Sequence, residues 1–393
     1  MKINYEKQAR EEYQKKLAIK KKMAAYYRLQ ANKNGLKALT RIASYLPEKY
    51  KPLHISRGIA FSHLDLEPII DLIARGEEFS VVSGLNSSSP LHLGHKTLFD
   101  FLLALQRLGG RIFIPITNDE SYVDGKVKSL KESKKIAYQE IIPSLVALGF
   151  DPGKTHIFVD SDYSDIYHFA IHLSRYLNFS EVEAAFGVRA LRNPGQIFYR
   201  GVVQMAQILL PQLPEFSGPK SVLIPVGLDQ HPYILLARDV AKRMKLIPPS
   251  EIVIKLLPSL KEPEKKMSGS KLKSAIYLSD NKQAIEEKIQ QAYTGSVSVL
   301  KVHQELGGIP EICSVFSLLY YQHPNDDLIN DLYQRYCQGK VSSRQLKEIA
   351  IDYVVQMIDE HQAKKKKVTQ KEIDKFILQK PLKSFLGVKK MLK

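Results

Sequence analysis

The chain has 393 residues, 44% of them hydrophobic, enough for two or three domains with a large core. It has no apolar run of membrane-spanning length and no apolar signal segment near its N-terminus, so a soluble cytoplasmic protein with no membrane partner is expected. Its two cysteines, Cys313 and Cys337, form no C-x-x-C pair, which excludes a disulfide framework and a zinc knuckle. The net charge of +17 is uneven: residues 1–55 carry 14 Lys/Arg against 4 Glu, and residues 364–393 carry 11 Lys against 2 acids. A near-neutral body with basic ends suits a polyanion such as RNA; a solvated lysine-rich helix and tail would give the same charge.

In chain order, residues 1–45 read as a helix, with Tyr13, Leu17 and Ile19–Tyr27 apolar among lysines and Pro47 and Pro52 ending it. From near Ser56 the pattern alternates. Strands are expected at 79–83, 111–116, 155–160, 221–226 and 251–257, and helices at 65–75, 96–108, 131–148, 165–178, 199–210 and 231–245. Such alternation implies a parallel sheet covered on both faces. Ile276-Tyr277-Leu278-Ser279-Asp280 closes a last short strand and supplies an N-cap for a helix at 281–293. Apolar residues then recur at helical spacing to about 362, which predicts a separate helical domain.

His92-Leu93-Gly94-His95 sits where a strand turns into a helix, the place where α/β folds bind nucleotides. The imidazoles can donate to phosphate oxygens, and Gly94 leaves room for a ligand against the backbone. The tetrad alone is a weak signal. A second element, Lys266-Met267-Ser268-Gly269-Ser270-Lys271, offers ammonium and hydroxyl groups suited to a loop closing over ATP phosphates. A third, Gly227-Leu228-Asp229-Gln230, ends a buried strand. There Asp229 can accept from ribose hydroxyls, or cap the next helix, and Gln230 can bind a small polar substrate.

H-x-G-H, G-x-D-Q and K-M-S-x-S in this order resemble the class I aminoacyl-tRNA synthetases, and more narrowly the archaeal-type tryptophanyl-tRNA synthetases. Arg57–His63, Pro225–Pro232, Ala237–Ala241, Ala292–Gly295 and Leu306–Cys313 resemble further motifs of that family, over roughly residues 56–363. The resemblance implies a Rossmann-like α/β catalytic domain at 56–280 with a connective insertion at about 124–200. It implies a basic helical extension at 1–55, and at 281–393 an α-helical anticodon-binding domain with a basic tail. It further implies ATP with Mg2+, tryptophan and tRNA(Trp) as ligands, and a homodimer.

By the same resemblance, His92, His95, Lys266, Ser268 and Ser270 are catalytic. His92, Gly94, His95, Gly227, Asp229, Lys266 and Met267 bind ATP. Ser83, Glu120, Gln204 and Gln230 hold the amino acid, and no residue is a resident metal ligand. The chain departs from the pattern at Ser87-Ser88-Ser89, where P-S-G is usual, and at Ser83, where threonine is usual. Some relatives read the indole with a tyrosine and a glutamine at the positions of Val82 and Pro115, which lack polar side-chain atoms. A tyrosine or other aromatic amino-acid ligase, a nucleotidyltransferase without RNA, and a non-catalytic RNA-binding paralog are the alternatives.

Overall fold

The computed structural model describes residues 5–40, 46, 51–187, 193–269 and 271–384. The chain forms two compact units, each assembled from separated segments. The first contains Met1–Leu36, Leu91–Thr97 and Leu256–Lys366; the second contains Lys37–Pro90, Leu98–Lys255 and Lys367–Lys393.

The second unit is built on an eight-stranded sheet. Its strands are β1 Lys37–Ala38, β2 Ala60–Leu64, β3 Phe79–Val82, β4 Leu85–Asn86, β5 Gly110–Thr117, β6 Thr155–Val159, β7 Val222–Gly227 and β8 Ser250–Ile254. Their order is β1-β2-β8-β7-β3-β5-β4, with β6 also pairing with β5. The five expected strands form a parallel run, β8-β7-β3-β5-β6, and the short β4 also pairs parallel with β5. Phe79, Val81, Ile112, Phe113, Ile114 and Ile116 are wholly buried, as expected of strands covered on both faces.

Two strands at the β8 side are antiparallel, β2 on β8 and β1 on β2, which the alternating pattern did not foresee. β2 buries two polar residues, Ser62 and His63, and carries a bulge, so it lacks the apolar run that marks its neighbours. β8 stops at Ile254, short of the expected 257, although the next residue, Lys255, still donates its N–H to Ile59 alongside β2.

The helix expected at 131–148 is Leu130–Ile136, a widened π turn at Ala137–Ile141, and Ile142–Ala147. Pro143 removes a backbone donor there, and the wider turn absorbs the gap. A second π turn, Tyr199–Val203, precedes Gln204–Leu209. Residues 376–378 lie along β6: Ile157 donates to Phe376 and Leu378 to Ile157, both at 2.8 Å. Leu382 N–H donates to Asp165 at 2.8 Å, and Ser384 N–H to Glu215 at 2.7 Å.

In the first unit the N-terminal helix spans Tyr5–Lys33, shorter than expected, and Gly35 turns the chain at φ 67°. It packs Ala9 against Val297 and Val302. Lys16 is buried and donates to the carbonyls of Thr294, at 3.0 Å, and Ser296. Lys20 pairs with Glu311 at 2.7 Å, Lys22 with Glu264 at 2.9 Å, and Arg10 with Glu305. The helix is therefore docked, with much of its charge engaged. Helices at Lys282–Gln290, Leu300–Leu306, Ser314–Gln322, Asp326–Cys337 and Ser343–Lys366 complete the unit. The strand expected at 276–280 is a single antiparallel bridge between His92 and Tyr277, and the helix after it, Lys282–Gln290, is capped by Asn281 rather than Asp280 because the Asn281 side chain accepts the Ala284 N–H. Among the described residues no helix is long and apolar enough to cross a membrane, and both cysteines are free thiols.

Candidate active site

The first unit holds the tetrad and the lysine-serine loop. Around the bridge, Leu93 donates to Ile276 and Leu278 to Leu91, at 2.9 and 2.8 Å. This ties the start of the helix Leu93–Arg107 to the chain that follows the loop. The imidazoles of His92 and His95 stack, with centroids 3.8 Å and planes 17° apart. Each ring's Nδ1 accepts from the other residue's backbone N–H, both at 3.4 Å. An accepting Nδ1 places the proton on Nε2, so each ring keeps one N–H donor.

Burial, the neighbouring ring and Lys266 lower the His92 pKa to about 2. Burial and Lys266 lower that of His95 to about 4. Both are neutral near pH 7 and act as donors, not cations. Gly94 is needed for a reason the sequence did not suggest. A Cβ there would lie 3.0 Å from Cε1 and Nδ1 of His92, so the missing side chain makes room for the imidazole itself.

The loop hangs from a narrow hairpin. Pro258 bridges Lys266, and Met267 and Ser259 donate to Leu257 and Lys265, each at 2.8 Å. Met267 is buried, Lys266 exposed and Ser268 half-buried. Glu262 engages both Lys265 and, at 2.6 Å, Lys271, whose ammonium groups hold its carboxyl down at about 2. Those two lysines therefore brace the loop's base. Ser270 lies outside the described residues. Tyr277, which the sequence marked only as strand, donates its hydroxyl to the Gly269 carbonyl at 2.9 Å.

The second unit holds the remaining candidates, at the carboxyl ends of β3, β5 and β7. Buried Gly227 ends β7; exposed Asp229 and half-buried Gln230 lie in the short turn after it. Gln204 Nε2 donates to Gln230 Oε1 at 3.3 Å, so these two come together. Ser83 is buried, and its hydroxyl donates to the Pro225 carbonyl at 3.1 Å, bracing β3 against β7. Val82 pairs with Phe113 and Pro115 with Phe158, which puts Val82 and Pro115 on one buried, apolar face.

Glu120 is half-buried in the helix Asn118–Val123. Thr117 Oγ1 donates to its carboxylate at 2.9 Å, and burial raises its pKa. Beside it lies an acid network that sequence reasoning missed. Asp119 accepts the Glu120 N–H at 2.8 Å and the hydroxyl of Tyr167. Asp160, wholly buried at the end of β6, accepts from Gln207 Nε2 at 2.5 Å. Burial, then the charges of Asp119 and Glu120, push its pKa well up. Gln207 is one turn beyond Gln204, so the network joins the helix of Gln204 to the backbone of Glu120. Behind Gln230, buried His231 Nδ1 meets buried Glu251 at 2.7 Å. The only available signal was position: an Asp or Glu in or just after an apolar strand.

Residues 74–359 match the family described as tRNA synthetases class I (W and Y). The chain is 36% identical over 351 residues to the tryptophan–tRNA ligase of Methanocaldococcus jannaschii, covering 88% of this chain and 93% of that protein. It is 35% identical over 324 residues to that of Saccharolobus solfataricus, covering 81% and 83%. The crystal structure of tryptophanyl-tRNA synthetase from the hyperthermophilic archaeon Aeropyrum pernix K1 aligns with a TM-score of 0.82 at 30% identity, over 91% of this chain and 97% of that one. On a match of this extent, with relatives this similar along most of their length, the chain belongs to the class I tRNA synthetases of the tryptophan and tyrosine type.

Proposed function

We propose that the chain is a tryptophan–tRNA ligase. The tryptophan carboxylate attacks the α-phosphorus of ATP; the bond to pyrophosphate breaks and tryptophanyl-adenylate forms. A terminal ribose hydroxyl of tRNA(Trp) then attacks the acyl carbon, and AMP leaves. No covalent enzyme intermediate is required, so the protein contributes positioning and charge stabilisation. The observation that carries this reading is the stacked, neutral His92–His95 pair with its two Nε2–H donors.

The Nε2–H groups of His92 and His95 donate to phosphate oxygens as negative charge grows on them. Lys266, Ser268 and Ser270 receive pyrophosphate, and Met267 packs beside the tetrad. Gly227 and Asp229 hold the ribose. Glu120 faces the substrate ammonium, with Gln204 and Gln230 at its polar end, while Ser83 shapes the pocket wall. ATP would enter with Mg2+ as part of the substrate, and the ion would supply neutralisation of the phosphate charge. The loop's own acid, Glu262, is taken by Lys265 and Lys271, so it does not compete for the ion.

The helical region 281–366 reads the anticodon by stacking and base-edge hydrogen bonds. Exposed Lys15, Lys21 and Arg28 on the docked N-terminal helix face tRNA phosphates. Exposed Leu130, Ile171 and Phe179 support a homodimer formed through the connective insertion. The two free thiols accord with a cytoplasmic location.

The test is ATP–pyrophosphate exchange across the amino acids: tryptophan supports exchange and tyrosine does not. Exchange with tyrosine alone would transfer the chain to the tyrosine branch, and none with either would leave a non-catalytic paralog. Because the chain contains no Trp, substrate binding can be followed by the ligand's own emission.

A further inference from the structure

Tyr277 touches both nucleotide elements of the first unit. Its backbone bridges His92, and its ring stands edge-on to the His92 imidazole, 6.1 Å and 76° away. Its hydroxyl reaches the Gly269 carbonyl, in the middle of the Lys266–Ser270 loop. From behind, the residue is held firmly. Its N–H donates to Asp280 at 2.8 Å, and Asp280 pairs with Lys288 at 2.5 Å. The Lys288 ammonium lies 5.0 Å from the centre of the Tyr277 ring, at cation–π range. Burial and Asp280 raise the phenol's pKa above its usual value, so the hydroxyl keeps its proton at neutral pH.

We propose that Tyr277 is a positioning residue whose hydroxyl latches the loop at Gly269. The latch fixes the spacing between the loop's Lys266 and Ser268 and the donors of His92 and His95, so that both sets meet one triphosphate. A fixed body with a single reaching hydrogen bond suits a loop that must release after each turnover: one neutral hydrogen bond is strong enough to bias a loop and weak enough to break. The inference rests on reading the loop as the ATP-phosphate element.

The test is Tyr277→Phe in the full-length protein, which keeps the ring, the bridge and the Lys288 contact. Three quantities are measured: the exchange KM and kcat for ATP and for tryptophan separately, the rate of tryptic cleavage at the loop lysines, and the melting temperature. Loss of the latch changes kcat/KM for ATP by about three- to tenfold, the worth of one such hydrogen bond, and speeds loop cleavage by a similar factor. The KM for tryptophan and the melting temperature stay near wild type. Unchanged ATP kinetics with unchanged cleavage overturns the proposal. So does a parallel shift of both KM values with a lowered melting temperature, which would mean a merely structural role. Tyr277→Leu, which also removes the ring contacts, should give a cleavage rate at least as high as Tyr277→Phe; a lower rate counts against the latch. If the wild-type chain shows no tryptophan exchange, the functional reading fails, while the cleavage comparison still decides the latch.

Discussion

The ammonium of Lys16 donates to the carbonyl of Thr294, 3.0 Å away, so one turn of the N-terminal helix is fastened to the loop between the helices Lys282–Gln290 and Leu300–Leu306. The same nitrogen serves the Ser296 carbonyl and pairs with Glu12 at 2.9 Å. Replacing Lys16 by Met leaves two carbonyls short of a donor and Glu12 without its partner. The expected cost is about 2–3 kcal/mol in denaturant unfolding. A loss below about 0.5 kcal/mol, the usual range for surface substitutions, would show the clamp to be incidental.

The histidine pair sets an acid limit on stability. Unfolded histidines titrate near about 6.5, whereas His95 and His92 in the fold titrate at about 4 and about 2. The folded state then binds fewer protons than the unfolded one below about pH 6.5. The stability these groups contribute is fully present above that value and is lost as pH falls toward 4 and beyond. A His92→Asn/His95→Asn double variant should flatten the melting-temperature profile between about pH 6.5 and 4. In wild type, exchange kcat should show no histidine break near pH 6.5, and His95→Ala should lower kcat by about 10²–10³-fold. A break near 6.5 that vanishes in His95→Asn would contradict the neutral pair.

Glu120 must be ionised to hold an ammonium group, and burial raises its pKa. As pH falls toward that raised value, the KM for tryptophan should climb while the KM for ATP stays level. Glu120→Gln should raise the tryptophan KM and remove its pH dependence. If the KM of Glu120→Gln still climbs on acidification, another group carries the effect.

Burial and the charges of Asp119 and Glu120 disfavour the Asp160 carboxylate, so a neutral Asn can stand in its place and still accept from Gln207. Asp160→Asn should stay within about 1 kcal/mol of wild type, while Asp160→Ala, which takes the acceptor from the Gln207 amide, should cost about 2–4 kcal/mol. Equal losses in the two variants, measured by urea unfolding, would mean that Asp160 is charged in the fold.

Charge reversal at Lys15, Lys21 and Arg28 should weaken tRNA binding and make its salt dependence shallower, by about 0.7–0.9 in log–log slope for each phosphate no longer neutralised. Single-turnover adenylate formation should not change. An unchanged slope would remove the helix from the RNA interface.

The sequence showed the five parallel strands because each is an apolar run buried on both faces. It did not show β2, whose buried Ser62 and His63 break that run. The helices at 131–148 and 199–210 were legible as lengths but not as interrupted helices, since a π turn leaves only a one-residue slip in periodicity. His92, His95, Lys266 and Ser268 could be nominated from the sequence because each belongs to a motif that is contiguous along the chain. Asp160 with Gln207, His231 with Glu251, and Tyr277 with Gly269 could not, because each is half of a pair whose other half lies elsewhere along the chain. The docked N-terminal helix was hidden for the same reason: its lysines look solvated until Thr294, Glu311 and Glu264 are placed beside them.

The interleaved segments of the two units constrain the order of assembly. The helix Tyr5–Lys33 leaves the ribosome long before Thr294 and Glu311, and β6 is made long before residues 376–378 that cover its edge. Neither unit can close during early translation. Until residues beyond 366 emerge, β6 remains an unpaired strand edge, the kind of surface on which nascent chains aggregate. Chaperone dependence in this protein should therefore concentrate late in synthesis, and a ribosome stalled near residue 300 would carry a chain with a formed sheet and an unsatisfied basic helix.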